Sequence, residues 1–498
     1  MKNSLLWKGG IFLNKTTQNR EQYKRLLNFL GALIIIYLFM MGFSYIWYNY
    51  YNSDMHDPYW YKGNILMVGL YGVLYMFMTS TFNGFRLGYS KFAGLFGSQI
   101  LGILGANCIE FVLIQLIGRN RLDIAPLALL TVAEAAFALL WSYLFTLLYN
   151  KMYPPKRLII VYGNRNAKYL VDKMSMRADK YEICASISCD ESLEEIERQI
   201  MKYDAVVISD IPSDLRSKLL KFTFENSIRT YINPKLSDII IRGADDFHLF
   251  DTPLLLSRND GLGFEQRSLK RFFDILLSLF ALIIASPFMI ITAIAIKAYD
   301  GGPVFYSQER LTIGGKKFKV LKFRSMIVNA EKSGARLAAE NDDRITPVGK
   351  IIRKIRFDEL PQLLNILKGD MSFVGPRPER PEFAAKYEKT MPEFKYRLKV
   401  KAGLTGYAQV MGKYNTTPYD KLKFDLMYIE HQSLREDMKI ILSTIRTCFV
   451  PDATEGVEGT EPIETKRDRI DHDFSKDKRS AEQRNEQADS AEREKIHS

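Results

Sequence analysis

Four long apolar runs fill most of the first third of this 498-residue chain and constrain its fold more than any other feature. Each run is about 20 residues long, enough to cross a hydrocarbon core of about 30 Å as an α-helix. They predict transmembrane helices near residues 27–47, 65–82, 92–117 and 125–148. The sequence therefore predicts an integral membrane protein with a short segment, 1–25, before a four-helix region, 26–150.

The charges between these runs predict how the helices are oriented. Basic residues lie before the first run, between the second and third runs, and after the fourth: Lys24, Arg25, Arg86, Lys91, Lys151, Lys156 and Arg157. The loop between the first and second runs instead carries two aspartates, Asp54 and Asp57. Cytoplasmic loops are enriched in Lys and Arg, so both ends are expected in the cytoplasm, with the helices in the plasma (inner) membrane. The basic segment before the first run lacks a small-residue cleavage site, so no cleaved signal peptide is expected.

Two acidic residues, Glu110 and Glu134, lie inside the third and fourth apolar runs. An ionisable group within a membrane span is costly and marks either a bundle-facing position with a role or an anchor near a helix end. The sequence leaves these two interpretations open.

Residues 151–262 predict a small cytosolic α/β domain with a Rossmann-like pattern. Buried-strand patterns occur at 158–162 and 205–208, and the first is followed by Gly163 and a helical stretch. The turn at 163–166 lacks the second and third glycines of a dinucleotide fingerprint, so we expect no cofactor there. Tyr169 and Lys173 match the Tyr-x-x-x-Lys spacing of short-chain reductases, but they directly follow the first strand, where that fold has its nucleotide turn.

A fifth apolar segment, 272–297, is long enough to span but contains Ser286-Pro287 near its middle. Proline removes a backbone hydrogen bond and bends a helix. If the segment crossed, the region after it, which is rich in Lys and Arg, would lie outside the cell, against the enrichment of basic residues in the cytoplasm. A re-entrant helix that returns to the cytoplasmic side is therefore predicted, with a plain stop-transfer anchor as the alternative; Lys270 and Arg271 would lie at the headgroup level.

The chemically richest stretch lies between residues 343 and 380. Leucines at i, i+3, i+4 and i+7 predict a helix that begins at Pro361: Leu360, Leu363, Leu364 and Leu367. Asp358 and Glu359 then lie at its amino terminus, as a nucleophile or metal ligand facing a diphosphate, or as a simple cap. Basic residues nearby, Arg353 and Arg356 and the Arg377 of a stiff Gly-Pro-Arg-Pro turn, favour the first interpretation.

Six motifs between Ser268 and about Phe449 resemble the bacterial sugar transferase family, whose members are polyprenyl-phosphate phosphoglycosyl transferases with one catalytic membrane-associated domain. The motifs occur in order: Lys270-Arg271-x-x-Asp274, Gly302-Pro303-Val304-Phe305, Lys322-Phe323-Arg324-Ser325-Met326, Asp358-Glu359-Leu360-Pro361-Gln362, Gly375-Pro376-Arg377-Pro378 and Gly403-Leu404-Thr405-Gly406-Tyr407-Ala408-Gln409. Ala402 and Tyr407 depart from the commoner proline and tryptophan, without touching the acidic pair.

The resemblance implies roles for these residues. Asp358 would attack the sugar-linked phosphate and form an acyl-phosphate intermediate, and Glu359 would bind Mg²⁺. Basic and polar residues would bind the substrate phosphates: Lys322, Arg324, Arg353, Arg377 and Gln409. Others would contact the lipid phosphate and the membrane: Lys270, Arg271, Asp274, Ser286 and Pro287.

The resemblance also implies the substrates and the domain plan. A mainly helical catalytic domain, 263–450, would transfer a hexose-1-phosphate from a UDP-sugar to undecaprenyl phosphate and so initiate exopolysaccharide, capsule or O-antigen synthesis. The resemblance is compatible with a homodimer. An inactive scaffold of a polysaccharide assembly complex is the alternative, and a membrane-anchored nucleotide-sugar dehydratase is disfavoured by the missing glycines of the middle domain.

The net charge, the cysteines and histidines, and the C-terminal residues give less information about function. The formal net charge of +12 favours anionic partners, here nucleotide sugar and membrane lipid and not nucleic acid. The four cysteines and five histidines show no metal or disulfide pattern, and the thiols are expected reduced and buried. Residues 425–445 predict amphipathic helices, at the membrane interface or in the core, and the charged tail, 451–498, is expected to be disordered.

Overall fold

A computed structural model describes residues 12–86, 88, 91–118, 122–163, 167–257, 261–328, 330, 342–412 and 416–449. The predicted turn residues 164–166, the side chain of Tyr169 and the predicted tail at 451–498 lie outside what is described.

Long helices at the start of the described chain pack into one bundle: α1 (Phe12–Ile46), continued by a π-helical turn (Trp47–Tyr51) and α2 (Asn52–Asp54), then α3 (Tyr61–Thr81), α4 (Phe92–Gly118) and α5 (Ala125–Met152). All four predicted runs are helices that are long and apolar enough to cross a membrane. Aromatic packing fills the bundle interior, where the Phe43 and Tyr71 rings stack 4.4 Å apart, while many outward apolar side chains are exposed. The chain is a membrane protein.

The interior of this bundle is polar at its centre. The Tyr71 hydroxyl donates to Glu134, whose second oxygen accepts from Asn107 Nδ2 at 2.9 Å. Glu110 is fully buried as well. Both acidic residues therefore face the bundle interior, so the alternative of anchoring at a helix end is wrong, and the functional role in the first interpretation stays a prediction.

A parallel α/β domain follows the bundle: β1 (Lys156–Tyr162), α6 (Ala167–Ser175), β2 (Tyr181–Ser188), α7 (Leu193–Ile200), β3 (Ala205–Ser209), α8 (Ser213–Glu225), β4 (Arg229–Ile232) and α9 (Leu236–Arg242). The sheet order is β2-β1-β3-β4, with every pairing parallel. β1 and β3 lie at its centre and are buried on both faces, which explains why both read as continuous apolar runs in the sequence. The two predicted strands are confirmed.

An exposed antiparallel hairpin, β5 (Asp245–Leu249) and β6 (Thr252–Leu256), leads towards the longest helix, α10 (Phe264–Asp300). Pro287 lies inside α10 without ending it. Before the proline, Ala281 and Leu282 pack on one core cluster of the following domain. After it, Ile296 belongs to a second cluster of that same domain. Both halves of α10 therefore contact one globular body.

That body is mainly helical, as predicted, with two small strand pairs. Its elements are β7 (Phe305–Leu311), β8 (Lys317–Phe323), α11 (Pro347–Lys354), α12 (Gln362–Lys368), β9 (Ser372–Val374), α13 (Pro381–Thr390), β10 (Gly403–Thr405), α14 (Tyr407–Val410), α15 (Pro418–Glu430) and α16 (Leu434–Phe449), with 3₁₀ turns at Ile313–Gly315, Phe357–Glu359 and Pro392–Lys399. β7 and β8 form an antiparallel hairpin, and β9 and β10 are parallel.

The predicted closing helices divide between two environments. Leu422 and Leu426 of α15 are buried with Ile239 of α9, so α15 joins the catalytic and middle domains. Lys423 Nζ also donates to Asn233 Oδ1 at 2.8 Å across this contact. The core alternative is therefore correct for α15. The core alternative also holds for the first half of α16, where Ile440 is buried with Val374 and Tyr428. The second half of α16 contacts the membrane bundle, with Arg446 donating to the Gly94 carbonyl at 3.4 Å.

The cysteine prediction is partly wrong. Cys108, Cys184 and Cys189 are free thiols, but Cys108 and Cys184 are exposed and only Cys189 is half-buried. Cys108 lies on the face of α4 directed away from the bundle interior, where lipid can cover it. Among the described residues no group of three or more His, Cys, Asp or Glu could hold a metal ion.

Candidate active site

The acidic pair lies on a 3₁₀ turn, Phe357–Glu359, between α11 and α12. Arg356 adopts a left-handed conformation, φ 58°, which ends α11 and reverses the chain into this turn. The pair precedes α12 as predicted, but no side chain caps that helix, so the simple capping interpretation is wrong. α12 begins at Gln362, one residue after the predicted start at Pro361, and Gly369 at φ 98° follows its last residue, Lys368.

Strand β8 brings Lys322 to the acidic pair. Phe318 and Val320 lie on the face of β8 that packs on Leu363 and Ile366 of α12. Lys322 is the next residue on that face, since side chains alternate along a strand. Its Nζ lies 2.7 Å from Glu359 Oε1. Because this face of β8 packs on α12, the Lys322 side chain lies next to the Phe357–Glu359 turn.

The Gly375–Pro378 turn brings the second cation. Its backbone is fixed by β10: Gly375 N donates to the Thr405 carbonyl and Gly403 N donates to the Pro376 carbonyl, each at 2.9 Å. A Cβ at Gly403 would lie 2.1 Å from Gly375 N, so this close approach requires glycine. From this turn Arg377 Nη2 donates to Glu359 Oε1 at 2.8 Å.

Glu359 is therefore held by two cations at once. Burial by itself raises the pKa of this carboxyl group, but Arg377 and Lys322 together overcome that effect and hold the pKa well below its ordinary value. Burial lowers the pKa of Lys322, with Glu359 acting in the opposite direction. The Glu359 charge raises the pKa of Arg377. Glu359 is thus a fixed carboxylate.

Asp358 differs from its neighbour. It is half-buried, and its carboxyl group makes no hydrogen bond to any described residue. Burial raises the pKa of its carboxyl group above the ordinary value, and the Glu359 charge acts in the same direction, against Lys322, Arg353 and Arg377. A carboxylate that no donor holds keeps its lone pairs available, and the surrounding cations can stabilise an attacked phosphate.

The site can supply hard oxygen ligands to a divalent cation. Mg²⁺ prefers oxygen atoms and is commonly bound through one or two carboxylates and the substrate phosphates. Asp358 and Glu359 are two adjacent carboxylates of that kind. These two carboxylates fit Mg²⁺ only if substrate oxygens supply the remaining ligands, since the described residues contain no group of three or more His, Cys, Asp or Glu that could hold a metal ion.

Two predicted phosphate-binding residues point elsewhere. Arg324 is 7% exposed and forms a two-point ion pair with Asp300 at the end of α10, with Nη1 2.8 Å from Oδ2. Gln409 Nε2 donates to the Leu404 carbonyl at 2.8 Å. Neither has a described contact with the acidic pair, and their phosphate roles stay predictions. Arg353, in contrast, acts electrostatically on Asp358.

The residues predicted to meet lipid phosphate are engaged by the protein itself. Lys270 Nζ lies 2.5 Å from Asp437 Oδ2, and Arg271 donates to the carbonyls of Ile366 and Leu367 at 2.6 Å each. Asp274 is buried and accepts from Ser372 Oγ at 2.8 Å.

These contacts pin the first half of α10 to the catalytic domain. In the middle of the helix, Ser286 Oγ donates to the Ile283 carbonyl at 2.8 Å, one position before Pro287. The lipid and membrane roles of these five residues stay predictions.

Sequence reasoning missed the residues that hold the site in shape. Asn365 of α12 pairs with the backbone of β8, accepting from Leu321 N and donating to the Lys319 carbonyl at 2.9 Å each. The predicted apolar face of α12 was wrong in part, since Leu364 is 43% exposed and Asn365 is buried. A polar residue within an apolar helix was the only available signal.

A buried ion pair supports the Arg377 turn from behind. Arg397, 4% exposed, donates from Nη2 to the Arg377 carbonyl at 2.9 Å and pairs with Asp425 of α15 at 2.9 Å. Arg310 donates to the Pro378 carbonyl at 3.0 Å. No motif joins these residues in the sequence, so only the folded chain shows them together.

Comparison with known proteins identifies this region. Residues 265–451 match the sequence model of the family described as bacterial sugar transferase. The UDP-glucose:undecaprenyl-phosphate glucose-1-phosphate transferase of Caulobacter vibrioides is 37% identical over 188 residues, which are 37% of this chain and 70% of that protein.

Two longer relatives differ in the sugar that their names give. The UDP-N-acetylgalactosamine-undecaprenyl-phosphate N-acetylgalactosaminephosphotransferase of Aeromonas hydrophila is 38% identical over 254 residues, 50% of this chain and 59% of that protein. The UDP-glucose:undecaprenyl-phosphate glucose-1-phosphate transferase of Escherichia coli K12 is 40% identical over 218 residues, 43% of this chain and 45% of that protein. The chain thus spans about half the length of these relatives.

Proposed function

The chain belongs to the bacterial sugar transferase family, and on that premise we propose that it transfers a hexose-1-phosphate from a UDP-sugar to undecaprenyl phosphate. The relatives named above carry this activity in their names, with glucose or N-acetylgalactosamine as the sugar. Initiation of an exopolysaccharide, capsule or O-antigen repeat unit is the biological role that follows.

One observation carries the proposal: Lys322 and Arg377 both bind Glu359, while the adjacent Asp358 is left without a hydrogen bond. This arrangement supplies a nucleophile next to concentrated positive charge. A diphosphate substrate needs both, since the attacked phosphorus carries negative oxygens that cations must neutralise.

The reaction proceeds in two balanced steps. An Asp358 carboxylate oxygen attacks the sugar-linked phosphorus, and the phosphorus–oxygen bond to the nucleoside monophosphate breaks, with the electron pair leaving on that product. An oxygen of undecaprenyl phosphate then attacks the phosphorus of the acyl phosphate. The Asp358 carboxylate is released and the lipid becomes a diphosphate-linked sugar.

Arg377 and Lys322 would guide the donor phosphates to Asp358 by exchanging part of their contact with Glu359 for phosphate oxygens. Glu359, with the substrate phosphates, would hold Mg²⁺. The ion supplies charge neutralisation on the diphosphate when bound.

The membrane arrangement is part of the proposal. We place α10 as a re-entrant helix and the catalytic domain on the cytoplasmic face of the inner membrane. Contacts of both halves of α10 with one globular body support this, since a straight crossing helix would carry its second half away from that body. Pro287 supplies the position where the helix can bend.

The middle domain fits a degenerate nucleotide-binding fold with a structural role. A Cβ at Gly163 would lie 2.1 Å from the Asp210 carbonyl, so this glycine serves the packing of β1 against β3. α9 of the same domain packs on α15 of the catalytic domain.

The test of activity uses purified full-length protein with undecaprenyl phosphate, Mg²⁺ and a panel of nucleotide sugars. Release of nucleoside monophosphate should depend on the lipid, the metal and Asp358, with Asp358→Asn as the matched variant. With labelled donor and no lipid acceptor, the wild-type protein should retain the phosphosugar covalently and Asp358→Asn should not. No release from any donor would favour the inactive scaffold.

The test of topology places single cysteines at Gly263 and Gly301, the residues that flank α10, in a background without the native thiols. Labelling of both from the same side of sealed vesicles supports the re-entrant helix. Labelling from opposite sides would establish a crossing helix and refute this part of the proposal.

A further inference from the structure

A group of basic side chains lies where the membrane bundle meets the middle domain. Lys24 belongs to α1, Lys156 begins β1, and Arg177 and Lys180 precede β2. Lys156 N donates to the Lys180 carbonyl at 3.0 Å, which holds these two residues side by side at the amino edge of the parallel sheet. Lys24 acts electrostatically on both. We call Lys24, Lys156, Arg177 and Lys180 the junction cluster.

Aromatic rings frame the junction cluster at the end of α5. The Lys24 ammonium lies 4.8 Å from the Tyr153 ring centroid and 6.0 Å from that of Tyr149. Tyrosine is enriched where membrane hydrocarbon meets water. α5 ends at Met152 and β1 begins at Lys156, so the cluster lies at the membrane surface from which the globular domains project.

The cluster is also tied to the loop between α3 and α4. Arg177 Nη2 lies 3.4 Å from the Gly88 carbonyl and 2.8 Å from Asp179 Oδ2. The four basic residues therefore come from three separate parts of the chain, and all four side chains are half-buried.

The basic side chains of the junction cluster influence one another electrostatically. Burial lowers the pKa of Lys180 to about 8, and the charges of Arg177 and Lys24 add to that effect against Asp179. Burial also lowers the pKa of Lys156, with Lys24 acting in the same direction and Tyr231 and Asp204 acting against it. A bound anion would stabilise the charged form of both lysines.

From this geometry we infer that the junction cluster binds the phosphate headgroup of an anionic phospholipid. A cationic group at the headgroup level attracts lipid phosphate. The ammonium groups of Lys24 on α1 and of Lys156 and Lys180 at the sheet edge would bind the phosphate oxygens. The bound lipid would fix the middle domain against the bundle. This inference concerns a site separate from Asp358 and does not depend on the transfer reaction.

The test measures lipid bound to the purified full-length protein in detergent by native mass spectrometry. Phosphatidylglycerol is titrated against phosphatidylcholine with the same acyl chains. Wild-type protein should bind phosphatidylglycerol preferentially, and Lys156→Gln/Lys180→Gln should weaken that binding about tenfold. Binding of phosphatidylcholine should not change.

Two control variants separate a headgroup site from general attraction and from misfolding. Lys218→Gln/Lys221→Gln removes the same charge from exposed positions on α8 of the same domain and should bind as wild type. Lys156→Arg/Lys180→Arg keeps the charge and should retain binding.

Three outcomes would overturn the inference. The first is unchanged phosphatidylglycerol binding by the glutamine variant, and the second is an equal loss in the α8 control. In the third, inorganic phosphate at the same concentration displaces the lipid, which would mean that the cluster recognises soluble phosphate.

Discussion

Two charged clusters meet at the Gly375–Pro378 turn and differ in one respect. On one side the Arg377 side chain and Lys322 bind Glu359, with Asp358 adjacent. On the other side Arg397 binds the Arg377 carbonyl and pairs with the buried Asp425. The second cluster places its buried carboxylate 2.9 Å from a cation, whereas the first leaves the Asp358 carboxylate without an ion pair to any described residue.

The difference separates two uses of buried charge. A matched buried pair holds geometry, and breaking it leaves an isolated charge in a poor solvent. A carboxylate beside cations but bound by none of them can react when substrate arrives. The turn between the clusters couples them, because Arg397 positions the backbone from which Arg377 reaches Glu359.

Replacing the unbound carboxylate should produce the largest effect on activity and almost none on folding. Asp358→Asn keeps the size of the side chain but removes the nucleophile, so turnover should fall by at least about 1,000-fold. Nucleoside monophosphate release and the thermal unfolding midpoint are measured together. Asp343→Asn, an exposed aspartate of the same domain, is the control and should behave as wild type. If Asp358→Asn retains turnover, Asp358 is not the nucleophile, and the first cluster no longer differs in use from the second.

Breaking the matched pair should act mainly on stability. Asp425→Asn leaves buried Arg397 with a neutral group in place of its nearer partner and only the longer 3.5 Å pair to Glu379, at a cost of about 3 kcal/mol in unfolding free energy. Denaturant unfolding of the full chain in detergent measures this. Asp420→Asn on the same helix removes a partly exposed carboxylate that forms longer pairs with Lys173 and Lys423, at 3.4 and 3.6 Å, and should cost less than about 1 kcal/mol. Equal losses of unfolding free energy in the two variants would show that the buried carboxylate of Asp425 stabilises the protein no more than the partly exposed one of Asp420.

Replacing the bound carboxylate tests the metal. Glu359→Gln keeps hydrogen bonding to Lys322 and Arg377 but loses a ligand charge, so turnover should fall about 100-fold. The Mg²⁺ concentration for half-maximal rate should rise. Glu359→Asp, which keeps the charge, should be affected less. An unchanged Mg²⁺ dependence in Glu359→Gln would exclude Glu359 as the metal ligand.

The smallest effect expected is a shift in pH dependence. Asp358 must be ionised to attack, so turnover should fall as the pH decreases through its raised pKa. The Lys322 charge lowers that pKa, and Lys322→Gln should move the acidic limb of the kcat/KM profile to higher pH. Lys322→Arg should leave the limb in place. A limb that moves to lower pH would contradict the assigned electrostatics.

Local patterns were enough to predict the elements that depend on neighbouring residues alone. The four membrane helices followed from length and hydropathy, β1 and β3 from short apolar runs, and the position of Asp358 and Glu359 before α12 from Pro361. The leucine pattern failed at Leu364, because a seven-residue helix against a strand buries Asn365 instead.

The sequence by itself determined the membrane region, the α/β domain and the acidic pair, since each depends on residues close together in the chain. The tertiary structure decided which charges meet. Lys322 and Arg324 are two positions apart on one basic motif, yet Lys322 binds Glu359 and Arg324 binds Asp300. Arg397 and Asp425 come together only because α15 packs behind the Arg377 turn. Electrostatic pairing depends on distances that the folded chain sets, and no local periodicity records them.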